Sequence, residues 1–327
     1  VQKRIRTYLN RIKHAAAATA KIPNHLSSQK ILLEKQLLLS GRQASVQIRQ
    51  QSYLSHLSDA EFSVYSQWGE DGIIDWLIQN LPIENTSFVE FGVENFSEAN
   101  CRFLLENRNW RGMVMDGNQS HIDFVRAQTY YWKYDLNAHC AFITAENIND
   151  LLAVQGFGGE IGLLSIDIDG NDYWVLNAID CCKPAILVLE YNSILGDLYE
   201  LSVPYSSDFY RFDAHYSGLY FGASLPAMNS LARNRGYTFV GTNSNGVNAF
   251  YVRDDLAQSI TDSLGSVVGF PSRHRDSRDK KGQLNYMAGL ARSVVIEDLP
   301  IVNVDSGKTL LIKELGSLYS REWLSGM

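Results

Sequence analysis

The chain has 327 residues, 45% of them hydrophobic and 20% charged, with a formal net charge of −7. That balance fits a globular protein with one large domain, or one domain plus an appendage. No apolar stretch approaches the roughly 18–20 residues of a membrane helix, and the alanine run at 15–20 is too short for a signal-peptide core. The four cysteines, Cys101, Cys140, Cys181 and Cys182, show no metal-binding spacing, so reduced thiols in a cytoplasmic protein are expected. The charge is uneven. Residues 1–50 carry ten Lys/Arg and one acid, Glu34, whereas the other 277 residues hold 19 basic and 35 acidic groups. This basic arm lacks the dense basic run of a polyanion site, so no specific nucleic-acid partner is expected. It either docks on the acidic body or joins a second copy as a homo-oligomer.

Residues 1–22 read as a basic helix that breaks at Pro23-Asn24, and 27–56 as a second, amphipathic helix that Gly41 interrupts. Asp71–Leu81 is a helix with Pro82 beyond its end. Strand and helix then alternate. Strands are expected over Ser87–Gly92, Gly112–Asp116, His139–Thr144, Ile161–Ile168 and Ala185–Glu190. Helices are expected over Ser97–Asn107 with Ser97 as N-cap, Ser120–Gln128, Glu146–Ala153 and Tyr173–Ile179. Such βαβ alternation predicts a parallel sheet with helices on both faces. Leu225–Arg235 is a helix closed by Gly236. Tyr237–Gly241 and Asn248–Val252, joined through Asn245-Gly246, then read as a hairpin. A doubly wound sheet finishing in one antiparallel hairpin is the Rossmann-like α/β fold of class I methyltransferases. The expected organisation is a basic helical arm (1–59), a methyltransferase domain (60–255) and a C-terminal cap (256–327).

The stretch from about residue 65 to residue 253 resembles the FkbM-like family of S-adenosylmethionine-dependent O-methyltransferases. The motifs that carry the resemblance are Tyr65-Ser66-Gln67-Trp68-Gly69-Glu70-Asp71-Gly72-Ile73-Ile74, Phe88-Val89-Glu90-Phe91-Gly92-Val93-Glu94, Leu164-Ser165-Ile166-Asp167-Ile168-Asp169-Gly170-Asn171-Asp172, Leu189-Glu190-Tyr191-Asn192 and His215-Tyr216-Ser217-Gly218. The resemblance implies S-adenosylmethionine as cofactor and a sugar or polyol hydroxyl, free or in a glycan, as acceptor. The chain departs from the usual GxGxG loop, which is reduced here to Glu90–Glu94 with one glycine.

In open α/β sheets ligands sit beyond the carboxyl ends of the strands. Glu90 and Gly92 should therefore form the first turn of the cofactor site, with Glu90 on the methionine amino group and Asp116 on the ribose hydroxyls. Gln67 and Asp71 would close over the methionine end, and Glu146 would lie near the adenine ring. Asp167 and Asp169 after the fourth strand, with Glu190 and Asn192 after the fifth, alternate by two and so point to one side. They suit a Mg²⁺ site that activates the acceptor hydroxyl, or metal-free binding and deprotonation of it. His215 is a second candidate base, beside a sugar-binding wall of Tyr191, Tyr205, Tyr216 and Tyr220. Arg273, His274 and Arg275 are either a solvated run or a contact for a phosphate on the acceptor. The main rival to an enzyme is a degenerate fold that binds a carbohydrate or partner without catalysis.

Overall fold

The computed structural model describes residues 29–327; the helix expected over 1–22 lies outside them. A helix α1 runs through residues 29–49. It passes Gly41 without a break, because that glycine lets the helix lie against Val64 and Phe103, where a Cβ would collide. Arg42 and Arg49 bond Asn107 and Gln79, tying α1 to the body, while Ile31, Leu32, Leu33 and Leu39 stay exposed.

The body follows as α2 (Glu70–Asn80), β1 (Ser87–Phe91), α3 (Arg102–Arg108), β2 (Arg111–Asp116), α4 (Gln119–Ala127), α5 (Thr129–Lys133) and β3 (Leu136–Cys140). Then come α6 (Ile148–Val154), β4 (Gly159–Ile166), α7 (Asp172–Ala178), β5 (Cys182–Glu190), β6 (Leu201–Ser202), α8 (Arg211–Ala214) and α9 (Leu225–Asn234). The hairpin strands are β7 (Tyr237–Thr242) and β8 (Asn248–Arg253). The seven-stranded sheet has the order β3-β2-β1-β4-β5-β8-β7. The five strands β1–β5 pair in parallel, and β8 is antiparallel to both β5 and β7. This is the expected doubly wound sheet with a terminal hairpin.

The period-2 alternation of the strands builds two cores. Val89, Phe91, Leu164, Ile166, Leu187 and Leu189 face one apolar layer with α6, α7 and α9. Phe88, Leu163, Ile186 and Val188 face the other, with α2, α3 and α4. Each such fully buried side chain contributes about 1.5–3 kcal/mol. The same alternation sends residues 90, 165, 167 and 190 toward the second face, which is how the acids at the strand ends come to converge.

The tail is built into the body. After α10 (Asp254–Ala257), an irregular stretch leads to α11 (Ala291–Val295), β9 (Pro300–Asn303), β10 (Lys308–Leu311) and α12 (Arg321–Gly326). β9 pairs with β6 as well as β10, making a small second sheet. Ile296, Ile301, Tyr319 and Trp323 share a core with the main sheet. Among the described residues no helix is long and apolar enough to cross a membrane.

Candidate active site

The first turn is set by Gly92. Its φ is +72°, and an added Cβ would run into the backbone carbonyl of Asp167. The glycine is therefore required by the contact between the β1 and β4 ends, not only by approach of a ligand. Gly92→Ala is expected to lower the unfolding free energy by about 1–3 kcal/mol through this clash and strain, read as a lower urea midpoint; an unchanged midpoint would contradict the assignment.

Glu90 lines the cleft but also does local work. Its Oε1 accepts the Asn100 N–H (2.7 Å) and its Oε2 the Cys101 N–H (3.0 Å). It thus caps α3 from below, and the helix starts at Arg102 rather than at Ser97. Burial pushes the Glu90 carboxyl up to about 7, against the opposing backbone bonds.

Several expected cofactor residues lie elsewhere. Asp71 does not line the cleft. It is buried, and its Oδ2 accepts three backbone N–H bonds, from Val64, Tyr65 and Ser66 (2.7, 2.7 and 2.8 Å). It is a staple for the loop before α2. Asp116 at the end of β2 accepts the N–H groups of Glu94 and Asn118 (2.8 Å each) and meets His121 Nδ1 at 3.1 Å. It braces the β1 and β2 loops from outside the cleft lining. Glu146 is exposed and bonded by the Tyr205 hydroxyl, also outside that lining. Gln67 does line the cleft.

The strand-tip acids divide into two groups. Asp167 and Glu190 both line the cleft, and both are pushed well above the usual carboxylate range, first by burial and then by neighbouring carboxylates, among which Asp169 and Asp172 act on both. Glu190 Oε2 is buried with no hydrogen-bond donor. Asp169, left-handed at φ +56°, turns away to Arg211 Nη1 at 2.8 Å. Arg211 also bonds Asp276 Oδ2 (2.6 Å) and the Gly218 carbonyl, so it joins β4 to the C-terminal segment.

The expected ligand set of Asp167, Asp169, Glu190 and Asn192 does not assemble. The Asn192 amide donates to the carbonyls of Leu219 and Phe221 (3.0 Å each), and its Oδ1 accepts the Ile194 N–H (3.0 Å). The chain leaves the strand at Glu190, and Asn192 caps a short 3₁₀ turn, Ser193–Leu195, instead of continuing the alternation. Among the described residues no group of three or more His, Cys, Asp or Glu is arranged around a metal.

His215 also falls outside the cleft lining. Its Nδ1 contacts Ser217 Oγ at 2.7 Å and its ring lies 4.3 Å from that of Tyr216. Partial burial, then Lys280, hold its imidazole below the usual range. The tyrosine wall does not form as expected either. The hydroxyls of Tyr191 and Tyr220 are spent on the carbonyls of Phe270 and Pro300 in the interior, while Tyr216 is exposed. Of the basic run, His274 enters the cleft and Arg273 and Arg275 are exposed.

What results is a cleft of about 300 Å³ at the carboxyl ends of β1, β4 and β5. Glu70, Glu90, Glu94 and Glu98 line one part, and Asp167, Asp169, Glu190 and Asp276 another, against one arginine, Arg211, and one histidine, His274. Trp68, Glu70, Arg211, Asn248 and Asp276 are lining residues that sequence reasoning did not assign to the site. Trp68 and Glu70 sat within a quoted motif and carried a usable signal; Arg211 and Asp276 carried none. Glu70 is buried without a cation: its Oε1 takes the amides of Asn243 (2.7 Å) and Asn248 (2.9 Å), and its Oε2 the Trp68 N–H (2.8 Å).

No family model and no curated protein matches the chain. Among solved structures it is similar to an S-adenosylmethionine-dependent methyltransferase from Clostridium acetobutylicum, at 11% identity over 60% of this chain and 94% of the other, with a TM-score of 0.36. It is also similar to the N-terminal domain of EvdMO1 with SAH bound, at 11% identity, 56% and 79% coverage and a TM-score of 0.38. The O-methyltransferase from Bacillus cereus in complex with SAH gives 12% identity, 66% and 89% coverage and a TM-score of 0.35.

Proposed function

We propose that the chain is an S-adenosylmethionine-dependent O-methyltransferase of the FkbM-like kind, acting on a hydroxyl of a sugar or polyol. The observation that carries this reading is the acidic strand-tip cleft, with the carboxyls of Glu90, Asp167 and Glu190 in its lining. The residues fit the cofactor's chemistry. Glu190 Oε2 and Asn248 Oδ1 are buried acceptors without donors, and the surplus of carboxyls suits a ligand carrying sulfonium and ammonium charges. When bound, the cofactor supplies an electrophilic methyl group on a positively charged sulfur.

In this reading Glu90 and Gln67 hold the ammonium end, while Asp116 braces the β1 and β2 loops beside it and Glu146 stands outside the cleft. Asp167, once ionised, takes the proton of the acceptor hydroxyl. A carboxyl with a raised pKa is a stronger base than an ordinary carboxylate once ionised, and so is better matched to a hydroxyl. Positioning the acceptor oxygen for in-line attack supplies the rest of the rate. A Mg²⁺ ion would have to draw Asp169 from Arg211 and turn Asn192 out of its three bonds. A homo-oligomer would bury the exposed apolar residues of α1.

Titration calorimetry with SAH and with NAD tests the cofactor. Binding of SAH at micromolar concentration, without binding of NAD, is the expected result. Failure of SAH to bind would move the reading to a non-catalytic carbohydrate-binding module, which the single-glycine loop favours.

A further inference from the structure

The cleft does not end at Arg211. That side chain reaches Asp169 on the cleft wall, and its guanidinium stacks on Phe221 at 4.1 Å. The backbone it belongs to starts α8 on the outer surface. Around it, within seven residues, three aromatic rings are exposed: Tyr210 (57%), Phe212 (37%) and Tyr216 (38%). Single exposed apolar residues need no explanation, but a cluster beside a cleft does. Tyr210 and Phe212 lie 6.3 Å apart, centroid to centroid.

A second segment runs alongside. The Arg278 N–H bonds the Ser217 carbonyl at 3.0 Å. Its guanidinium lies 5.2 Å from the Phe212 ring, and Lys280 Nζ lies 5.7 Å from the Tyr216 ring. Segments 210–216 and 278–281 together hold Arg278, Lys280 and Lys281 against Asp213 and Asp279, Arg211 being already paired with Asp169 and Asp276. One Asp279 oxygen is occupied by the N–H groups of Lys281 and Gln283. A net positive, aromatic rim thus adjoins a strongly acidic cleft on a chain of negative net charge.

We propose that this rim is an acceptor subsite for an anionic glycan, one whose sugar residues bear carboxylates. The proposal rests on the reading of the cleft as a sugar O-methyltransferase site and names the acceptor class. The apolar C–H faces of pyranose rings pack on Tyr210, Phe212 and Tyr216. The carboxylates pair with Lys280 and Arg278, whose ammonium and guanidinium groups are held by the rings. The acceptor is then several residues long, with one sugar in the cleft and its neighbours along α8. The acids of the cleft repel a carboxylated sugar, and the basic rim offsets that repulsion only for a chain long enough to reach it.

The test compares the full chain with the double variant Tyr216→Ala/Lys280→Glu. Both sites are exposed, and neither belongs to the cleft lining. The probes are a galacturonate hexamer, a galacturonate dimer and maltohexaose, each titrated calorimetrically at 50 and 300 mM salt, with SAH titrated in parallel. The expected result is binding of the galacturonate hexamer, at least tenfold weaker in the double variant and weaker at high salt. The dimer and maltohexaose should bind at least tenfold more weakly than the hexamer, and SAH affinity should be the same in both proteins. Equal binding of hexamer by both proteins, equal affinity for maltohexaose, or no hexamer binding would overturn the subsite. If SAH fails to bind while the hexamer result holds, the rim stands and the transferase reading falls.

Discussion

Asp167→Asn lowers kcat by a factor of about 10²–10⁴, the range for loss of a general base, and leaves SAH affinity within a few-fold of the parent. Asparagine keeps the volume but cannot accept the hydroxyl proton. The pH profile separates this role from a structural one. Burial and the charges of Asp169 and Asp172 raise both carboxyls, so the ionised Asp167 needed as a base forms only as pH rises above the ordinary carboxylate range. The acid limb of kcat/KM should therefore lie above that range. Asp169→Asn removes the Asp169 charge that helps raise both carboxyls, so in that variant the limb moves to lower pH. A kcat for Asp167→Asn within threefold of the parent, or an acid limb unmoved by Asp169→Asn, sinks the assignment.

Asp71→Ala destabilises the fold by about 3–6 kcal/mol, since three buried backbone donors lose their one acceptor at roughly 1–3 kcal/mol each, not fully additive. Asp71→Asn behaves differently. Burial raises the Asp71 carboxyl to about 7 despite those bonds. An acid whose folded pKa is raised contributes stability that is whole below its unfolded pKa near 4 and is lost as pH climbs through the folded value. The parent should lose up to roughly 4 kcal/mol from this group between pH 4 and 8, at about 1.4 kcal/mol per pKa unit. Asparagine mimics the protonated form, so Asp71→Asn should flatten that slope in urea unfolding followed from pH 5 to 8. A slope as steep in the variant as in the parent would show that Asp71 folds fully ionised.

Strands β1, β2, β4 and β5 were legible because each is a dense apolar run buried on both faces. Strand β3 was expected at His139–Thr144 and lies at Leu136–Cys140. It is an edge strand with one neighbour, so Asn137 and His139 are tolerated and the apolar signal is diluted. The start of α3 was hidden for another reason: its cap is a carboxylate from β1, ten residues back, which local capping rules do not see. The acids at the ends of β1, β4 and β5 were legible from their position alone. Asn192 was not, because period-2 reasoning fails once the chain leaves the strand. Arg211 and Asp276 meet across 65 residues in segments without periodicity, and nothing local announces such a pairing.

The pairing of the tail with the body bears on how the protein is made. Leu54 bonds Ser263 and Gly265, the Tyr319 hydroxyl bonds the Ile194 carbonyl at 2.6 Å, and Asp197 holds Ser320. His274 and Asp276 reach the cleft only as part of this arrangement. During synthesis the seven-stranded sheet is complete once residue 253 has left the ribosome, yet one wall of the cleft and the core beneath β6 are still missing. The nascent domain therefore displays an open acidic floor and uncovered apolar surface until α12 emerges, and a chain cut after residue 253 exposes that surface to chaperones and proteases.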